Sequence, residues 1–341
     1  WHAQHGRHDL PWQQPRSAYR VWVSEIMLQQ TRVETVLGYF QRFMQRFPDV
    51  AALATAPVDD VLAHWSGLGY YARARNLHRA AQQIHTQFAD AFPQDVATLE
   101  TLPGIGRSTA AAIASLAFDQ PAAILDGNVK RVFARQLALL DWPGTTANLK
   151  RLWAAAEAHM PQTQCAEYTQ AIMDLGATLC TPRNPQCAVC PVVASCQAKQ
   201  QGLEQEIPVS KPRKALPVRS CLMALARNAA DEVWLEQRPS SGIWGGLWAL
   251  PQFERVDDFF AWAPLQVAEE VHALEPMRHT FSHFHLDIEP RQLRILSSAD
   301  VTPKLTSKAT QGAWYTPAQC MALGLPAPVR RLLEQQFHIH D

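Results

Sequence analysis

The stretch from Leu102 to Arg131, LPGIGRSTAAAIASLAFDQPAAILDGNVKR, constrains this chain more than any other. It opens on Leu102-Pro103-Gly104-Ile105-Gly106-Arg107, where two glycines permit backbone angles that side-chained residues resist. The Ala-rich run from Ser108 towards Phe118 predicts a helix. Asp95 to Thr101 predicts a shorter one before the turn, so the whole reads as helix–hairpin–helix. Bare N–H groups at the second helix's start, Gly104 and Gly106 among them, face an end of the helix dipole that favours an anion. A phosphate is the natural guest, held without regard to base sequence. A plain αα-turn accounts for the same residues. Further on, in Leu125-Asp126-Gly127-Asn128-Val129-Lys130-Arg131, a carboxylate begins another helix. Asp126 there is either an ordinary N-cap or a catalytic group, and alone it decides neither.

At 341 residues the chain has material for two domains with separate cores. With 47% apolar and 18% charged residues it is globular. It has no apolar run of about eighteen residues and no charged-then-apolar leader, so no membrane span is expected. The chain begins at Trp1 and not Met, so a short N-terminal piece is expected to be missing. A net charge of zero argues against a generic polyanion binder, and residues 1–207 are themselves balanced in charge. Local clusters matter more, because phosphate contacts act within a Debye length. Arg73, Arg75 and Arg79 form one such cluster and Lys130, Arg131 and Arg135 another, although either also suits a solvated helix face.

Residues 1–203 read as mostly helical, with breaks at prolines from Pro11 to Pro143. The first strong helix is predicted from Ser17 to Arg46, with Trp22, Ile26, Gln29, Val33, Leu37 and Phe40 on one stripe. Glu25 falls roughly 60° off that stripe. A carboxylate on the margin of a buried face acquires a raised pKa, unless it is a salt-bridged boundary residue. Leu28 points away from the stripe, and Gln29, Gln30 and Thr31 lie beside Glu25 at what reads as mid-helix. Gly67-Leu68-Gly69-Tyr70-Tyr71-Ala72-Arg73-Ala74-Arg75 reads as a loop that reaches into nucleic acid, or as an ordinary helix start.

Seven cysteines is an odd number, and four of them stand as Cys180-x6-Cys187-x2-Cys190-x5-Cys196. That is ligand arithmetic rather than a secreted disulfide framework. Only one CxxC unit occurs, so the spacing suits an iron–sulfur cubane in a compact loop better than zinc. Cys165, Cys221 and Cys320 read as inert core thiols in a reducing compartment. Residues 204–219, rich in Pro and basic side chains, predict a stiff linker.

From 220 to 341 the periodicity turns strand-like. Paired strands are expected at Ser220–Arg227 and Glu232–Gln237 around Asn228–Asp231, a short helix near Val256–Ala263, and strands near Phe281–Ile288 and Arg291–Leu296. That is a small α/β domain. His279, His283 and His285 have no adjacent acidic partner for a metal, and alternation would put 283 and 285 on one face.

The hairpin, the aspartate loop and the cysteine spacing resemble those of the helix-hairpin-helix DNA glycosylases, and most closely the adenine DNA glycosylases of the MutY type. The likeness covers essentially the whole chain, with Ser24–Thr31, SEIMLQQT, its most specific segment. It implies a mainly α N-terminal helix-hairpin-helix glycosylase domain with an iron–sulfur cluster loop, and an α/β Nudix-like C-terminal domain. A hydrolytic Nudix domain needs a Glu-rich helix; no REx2EE-type run follows Trp248, and Glu269-Glu270 stand alone, so hydrolase activity is not expected there.

The resemblance implies removal of adenine opposite 8-oxoguanine or guanine in double-stranded DNA, by a monomer. Glu25 would protonate adenine N7, Asp126 would stabilise the oxocarbenium-like sugar, and Asn128 would orient Asp126 or the water. The adenine must first leave the helix. Trp12, Leu28, Ser108 and Asp174 would belong to its pocket. Gln30 and Tyr70 would fill the gap beside the lesion, with Thr31, Leu68 and Ser282 touching it and Phe281-Ser282-His283 detecting it. Cys180, Cys187, Cys190 and Cys196 would hold a [4Fe-4S] cluster of structural role.

The rival reading is an endonuclease III-type pyrimidine-lesion glycosylase with lyase activity. That chemistry needs a lysine one residue after Arg107, and Ser108 stands there instead. Some MutY-type proteins carry tyrosine at this position, so the serine is a departure. Lys130 could form adventitious adducts without being catalytic. A non-catalytic lesion-binding protein would have no use for Glu25 and Asp126.

Overall fold

The computed structural model describes residues 1–211, 215–262, 269–295, 303–306 and 309–338, with the side chains of residues 269 and 270 excepted. Part of the linker, the end of the helix expected at Val256–Ala263, Leu296 and the side chains of Glu269 and Glu270 therefore lie outside the described residues. The helices run in order α1 (His2–His5), α2 (Ala18–Leu28), α3 (Val33–Arg46), α4 (Val50–Thr55), α5 (Val58–Trp65), α6 (Ala72–Phe88), α7 (Val96–Glu100), α8 (Arg107–Phe118), α9 (Gly127–Gln136), α10 (Thr146–Ala158), α11 (Cys165–Asp174) and α12 (Gln197–Gln200). No helix among the described residues is long and apolar enough to cross a membrane.

The chain forms two compact units. The first holds Trp1–Thr55 and Asn76–Arg213, the second Ala56–Arg75 and Lys214–Asp341. The segment around α5 thus groups with the C-terminal residues. Sequence gives no sign of this, because the ties are distant in the chain. The hydroxyls of Ser66 and Tyr71 both donate to the Leu325 carbonyl, at 3.2 and 3.1 Å, and Gln237 donates to Asp59 at 3.0 Å.

In the first unit α8 is the central helix. Thr109 through Leu116 are all buried, and α2, α7 and α11 pack on it. Its many alanines let neighbours approach on every side, and an all-round apolar helix is buried. The helix starts one residue before the expected Ser108, and the short helix expected over Asp95–Thr101 is α7, capped by the Asp95 side chain, which accepts from Thr98 N at 2.8 Å.

The single helix expected from Ser17 to Arg46 is in fact two. α2 starts on the Ser17 cap and ends at Leu28; Gln30 takes φ 60°, and α3 begins at Val33. No Gly or Pro marks the break, so the pattern ran through it. The consequence is functional: Gln29, Gln30 and Thr31 form a turn at the end of α2 rather than its middle.

The second unit is built on an eight-stranded sheet of core order β3-β2-β1-β7-β5. Its strands are β1 (Val218–Arg227), β2 (Val233–Gln237), β3 (Trp248–Ala249), β4 (Gln252–Phe253), β5 (Glu269–Ala273), β6 (Met277–Thr280), β7 (His285–Arg294) and β8 (Gln311–Tyr315). β1 and β7 pair in parallel from Val218↔His285 to Arg227↔Arg294. Six consecutive residues of β1 are buried, the pattern of a strand covered on both faces. One face packs Leu222, Ala224 and Ala226 with Trp234, Phe253 and Phe259, the last from α13 (Val256–Trp262). Helices α14 (Pro317–Met321) and α15 (Ala327–Phe337) complete the unit.

The β1–β2 hairpin falls where the sequence puts it. The strands expected at Phe281–Ile288 and Arg291–Leu296 do not: β7 is one strand, and residues 281–284 are the turn joining it to β6. A proline inside a run usually ends a strand. Here Pro290 stands where β7 changes partner, between Ile288 paired with Met277 of β6 and Arg291 paired with Ala273 of β5. His283 therefore sits in the turn, and the alternation argument pairing it with His285 does not apply.

Candidate active site

A cavity in the first unit gathers the residues suited to chemistry. α2 supplies Glu25 and Leu28, the segment after α1 supplies Arg7 and Trp12, and α11 supplies Gln170 and Met173. Its free volume, about 40 Å³, suits a few waters, and the flexible Met173 forms part of its wall.

Burial pushes the Glu25 carboxyl up to about 8, and the negative charge of Asp126 adds to the rise. At neutral pH Glu25 therefore holds a proton. Asp126 caps α9, its carboxylate accepting from Val129 N at 2.7 Å. Burial raises its pKa too, but N–H groups of Val129 and Asn128 and the charges of Arg131 and Lys130 pull it back. The two carboxyls sit in unlike surroundings, and it is the Asp126 anion that backbone N–H groups and basic neighbours favour. The N-cap reading and the chemical reading of Asp126 are thus compatible.

The remaining expected residues are placed around this pair. Ser108 does not line the cavity; its hydroxyl accepts from Leu125 N at 3.1 Å and so ties α8 to the aspartate loop. Asp174 also stands behind the wall rather than in it. Fully buried, it accepts from the Arg7 backbone and Nε, each at 2.8 Å, and from Gln170 Nε2 at 2.9 Å. Its work is to hold Arg7 and Gln170, which do face the cavity. Neither was singled out in the sequence: Arg7 meets Asp174 across more than 160 residues, and Gln170, one helical turn from Asp174, takes its place from a cavity that only the fold creates.

Asn128 accepts from Arg131 at 2.8 Å, and the same guanidinium donates to the carbonyls of Gly176 and Cys180, both at 2.6 Å. A Cβ on Gly176 would lie 2.7 Å from Asn128 Cβ and 2.9 Å from its carbonyl, so only glycine lets the π-helical turn Leu175–Leu179 meet the start of α9. This contact too was invisible in the sequence.

The four clustered cysteines line one enclosure with Val132, Leu175 and Leu179. Among the described residues no group of His, Cys, Asp and Glu is arranged to hold a single ion, and the enclosure that the four thiols line has a free volume of about 20 Å³. Arg135 is buried, donating to Cys180 Sγ at 3.2 Å, Thr181 O at 2.8 Å and Ile207 O at 2.7 Å. A buried cation beside a thiol is compensated best when that sulfur is a thiolate, as it is when bound to metal. The donor set fits a thiolate-held cluster. Arg131 and Arg135 are accordingly spent on the cysteine loop and do not form the solvent-facing phosphate cluster expected of them.

Arg73 and Arg75 differ from expectation in the same way. Arg73 donates to the carbonyls of Leu68 and Gly69 and lies over the rings of Trp65 and Tyr70; Arg75 donates to the Gly245 carbonyl. They shape the loop, leaving Leu68 buried and Tyr70 exposed with φ 50°. In the hairpin turn Gly104 has φ 79°, and a Cβ there would meet Asn76 at 2.7 Å. Gly106 caps α8 with no side-chain acceptor for the first N–H groups, the arrangement an anion can use.

In the second unit the turn between β6 and β7 exposes Ser282 and His283. Phe281 beneath them packs on Trp244, His279 and Phe284 with ring centroids 4.5–5.8 Å apart within the group, and its N–H donates to the Phe284 carbonyl at 2.9 Å.

Two family models match the chain: HhH-GPD superfamily base excision DNA repair protein over residues 23–157 and NUDIX domain over residues 222–335. The adenine DNA glycosylase of Buchnera aphidicola subsp. Schizaphis graminum is 35% identical over 337 residues, covering 98% of this chain and 96% of the relative. That of Homo sapiens is 34% identical over 390 residues, covering 95% and 71%. Among solved structures, a thermostable thymine-DNA glycosylase superposes with TM-score 0.51 at 27% identity, over 58% of this chain and 91% of that one. Fold and site together define a base-excision DNA repair protein of the helix-hairpin-helix class with a Nudix-like second unit. Within that class, the chain belongs to the adenine DNA glycosylase family.

Proposed function

We propose that the cavity beside Glu25 receives an adenine everted from duplex DNA opposite 8-oxoguanine or guanine, and that Glu25 and Asp126 divide the cleavage of its N-glycosidic bond. Family membership supplies the reaction: monofunctional, hydrolytic release of adenine in base-excision repair. One observation carries the assignment of roles, the raised pKa of Glu25 beside the hydrogen-bonded Asp126. Glu25 donates its proton to adenine N7, making the base a neutral leaving group. The Asp126 carboxylate faces the positive charge that grows on the sugar. Asn128, braced by Arg131, steadies the aspartate loop or the water.

Trp12 and Leu28 give the base an apolar slot, with Ser108 and Asp174 supporting its walls. Leu28 and Trp12 touch the base; the other two act through Leu125 and through Arg7 and Gln170. Gly104 and Gly106 offer N–H groups to a phosphate. Gln30 and Thr31, on the turn after α2, and Leu68 and Tyr70, on the loop before α6, contact the nucleotides around the lesion. Phe281, Ser282 and His283 read the 8-oxoguanine, Ser282 and His283 by hydrogen bonds. Cys180, Cys187, Cys190 and Cys196 would hold a [4Fe-4S] cluster, which supplies four thiolate–iron bonds that fix the loop. The protein acts as a monomer on double-stranded DNA.

The test is Glu25→Gln assayed on an A:8-oxoguanine duplex beside a thymine-glycol duplex. Adenine release is lost while duplex binding survives, and neither protein releases thymine glycol. Equal adenine turnover by the variant would refute the role given to Glu25.

A further inference from the structure

Three residues of the loop that carries Leu68 and Tyr70 take left-handed backbone angles: Gly67 at φ 99°, Gly69 at 72° and Tyr70 at 50°. A side-chained residue keeps that conformation only where its surroundings impose it. Here side chains at both ends of the loop grip its backbone. The Gly67 N–H donates to the Tyr71 hydroxyl at 3.3 Å, and the Gly69 carbonyl accepts from Trp65 Nε1 at 3.3 Å. Arg73 Nη2 donates to the carbonyls of Leu68 and Gly69 at 3.3 and 3.1 Å. Tyr70 is left half-exposed at the tip.

One backbone atom anchors the loop from outside. The Leu325 carbonyl accepts from Tyr71 Oη at 3.1 Å and from Ser66 Oγ at 3.2 Å, and these two residues flank the tip. Leu325 is buried in the connector between α14 and α15. That connector is itself fixed. A Cβ on Gly324 would stand 2.9 Å from Leu62 Cβ on α5, and the Gly324 carbonyl accepts from Trp248 N of β3 at 3.0 Å. Tyr71 is buried, and its hydroxyl both accepts from the loop and donates to the connector, which a phenol can do and a phenyl ring cannot. Loop, connector and the turn at Phe281–His283 all belong to the second unit.

We propose that Tyr71, with Ser66, is a positioning residue for selectivity: the two hydroxyls on the Leu325 carbonyl hold the Gly67–Tyr70 loop to the body that carries Ser282 and His283. The proposal rests on the reading that Leu68 and Tyr70 contact the nucleotides around the lesion. Guanine and 8-oxoguanine differ only at C8 and N7, so telling them apart depends on contacts that cannot shift to suit either. A surface free to re-pack accepts both, and a loosened loop loses discrimination before it loses binding.

Single-turnover adenine release by the full chain on A:8-oxoguanine and A:guanine duplexes tests this for Tyr71→Phe, Ser66→Ala, Tyr70→Ala and Tyr71→Phe combined with Tyr70→Ala. Hydrogen exchange of the loop amides is followed in parallel. Tyr71→Phe should speed exchange of the Gly67 amide severalfold and lower the preference for 8-oxoguanine about fivefold, the worth of one hydrogen bond. Ser66→Ala should act in the same direction and less. With Tyr70→Ala already present, Tyr71→Phe should lower the preference no further, because it acts through the tip. Equal slowing on both duplexes would show plain packing and overturn the proposal, as would additive losses in the combined variant. If Tyr70→Ala lowers the preference while Tyr71→Phe and Ser66→Ala keep it, the proposal alone fails. If Tyr70→Ala keeps it, the reading of the loop fails and the proposal with it. Thermal melts identify a variant that does not fold, and Ser66→Ala, which removes a single hydroxyl, decides the matter should Tyr71→Phe be one.

Discussion

The cavity beside Glu25 and the turn at Phe281–His283 place functional side chains in opposite ways. In the first, the polar side chains are held by others: Arg7 and Gln170 of the wall by Asp174, and, on the neighbouring aspartate loop, Asn128 by Arg131 and Leu125 by Ser108. In the second, Ser282 and His283 are exposed, and only the aromatic rings under the tip are fixed. The difference follows from the tasks proposed for the two regions. Bond cleavage needs shifted pKa values, which require burial, whereas reading a base edge needs donors that meet the ligand without first being dehydrated. Changes in the first region should therefore move both rate and stability, and changes in the second should move selectivity alone.

Asp126→Asn separates the two uses of that residue and carries the largest effect. Asparagine caps a helix as well as aspartate does, so the melting temperature should hardly move. Losing the anion should slow single-turnover adenine release by about 10²–10³-fold, the range for one preorganised electrostatic contact. Unimpaired release would leave Asp126 as a cap and nothing more.

Gly176→Ala comes next. The added methyl meets Asn128 backbone and Cβ inside 3 Å, so the π turn or the start of α9 must shift. Overpacking of this kind costs about 1–3 kcal/mol, and release should slow as the aspartate loop moves. Chemical denaturation and single-turnover rates read the two effects. A variant with normal stability and rate would show that the cysteine loop does not brace the active site.

Ser282→Ala is the smallest. Stability should stay within about 0.5 kcal/mol, as for other exposed substitutions. Preference for adenine opposite 8-oxoguanine over adenine opposite guanine should fall severalfold, the worth of about one hydrogen bond. A loss of rate on both duplexes alike would blur the contrast between the two regions.

The parts legible in the sequence were those carried by neighbours in the chain. The hairpin, the Asp95 and Asp126 caps, and the β1–β2 hairpin each depend on residues a few positions apart. The break at Gln30 has no Gly or Pro, and the continuity of β7 through Pro290 depends on which strands lie beside it. The same limit applied at the site. Glu25 and Asp126 stood out as carboxylates in recognisable segments, but Arg7 and Gly176 take their meaning from partners far along the chain, Asp174 and Asn128. The basic clusters misled for a related reason: charge is visible in a sequence, while the carbonyls that consume Arg73, Arg131 and Arg135 are not.

The most direct measurement is the pH dependence of single-turnover adenine release under kcat/KM conditions. On the proposed assignment Glu25 acts as an acid, so the active form is the protonated one, present below its pKa of about 8. The rate should be level near neutrality and fall tenfold per unit of pH above about 8, with stability also falling as pH rises from the ordinary carboxylate range towards that value. A rate that stays level to about pH 10, or that climbs with pH as for a catalytic base, would contradict a protonated Glu25 at the centre of the reaction.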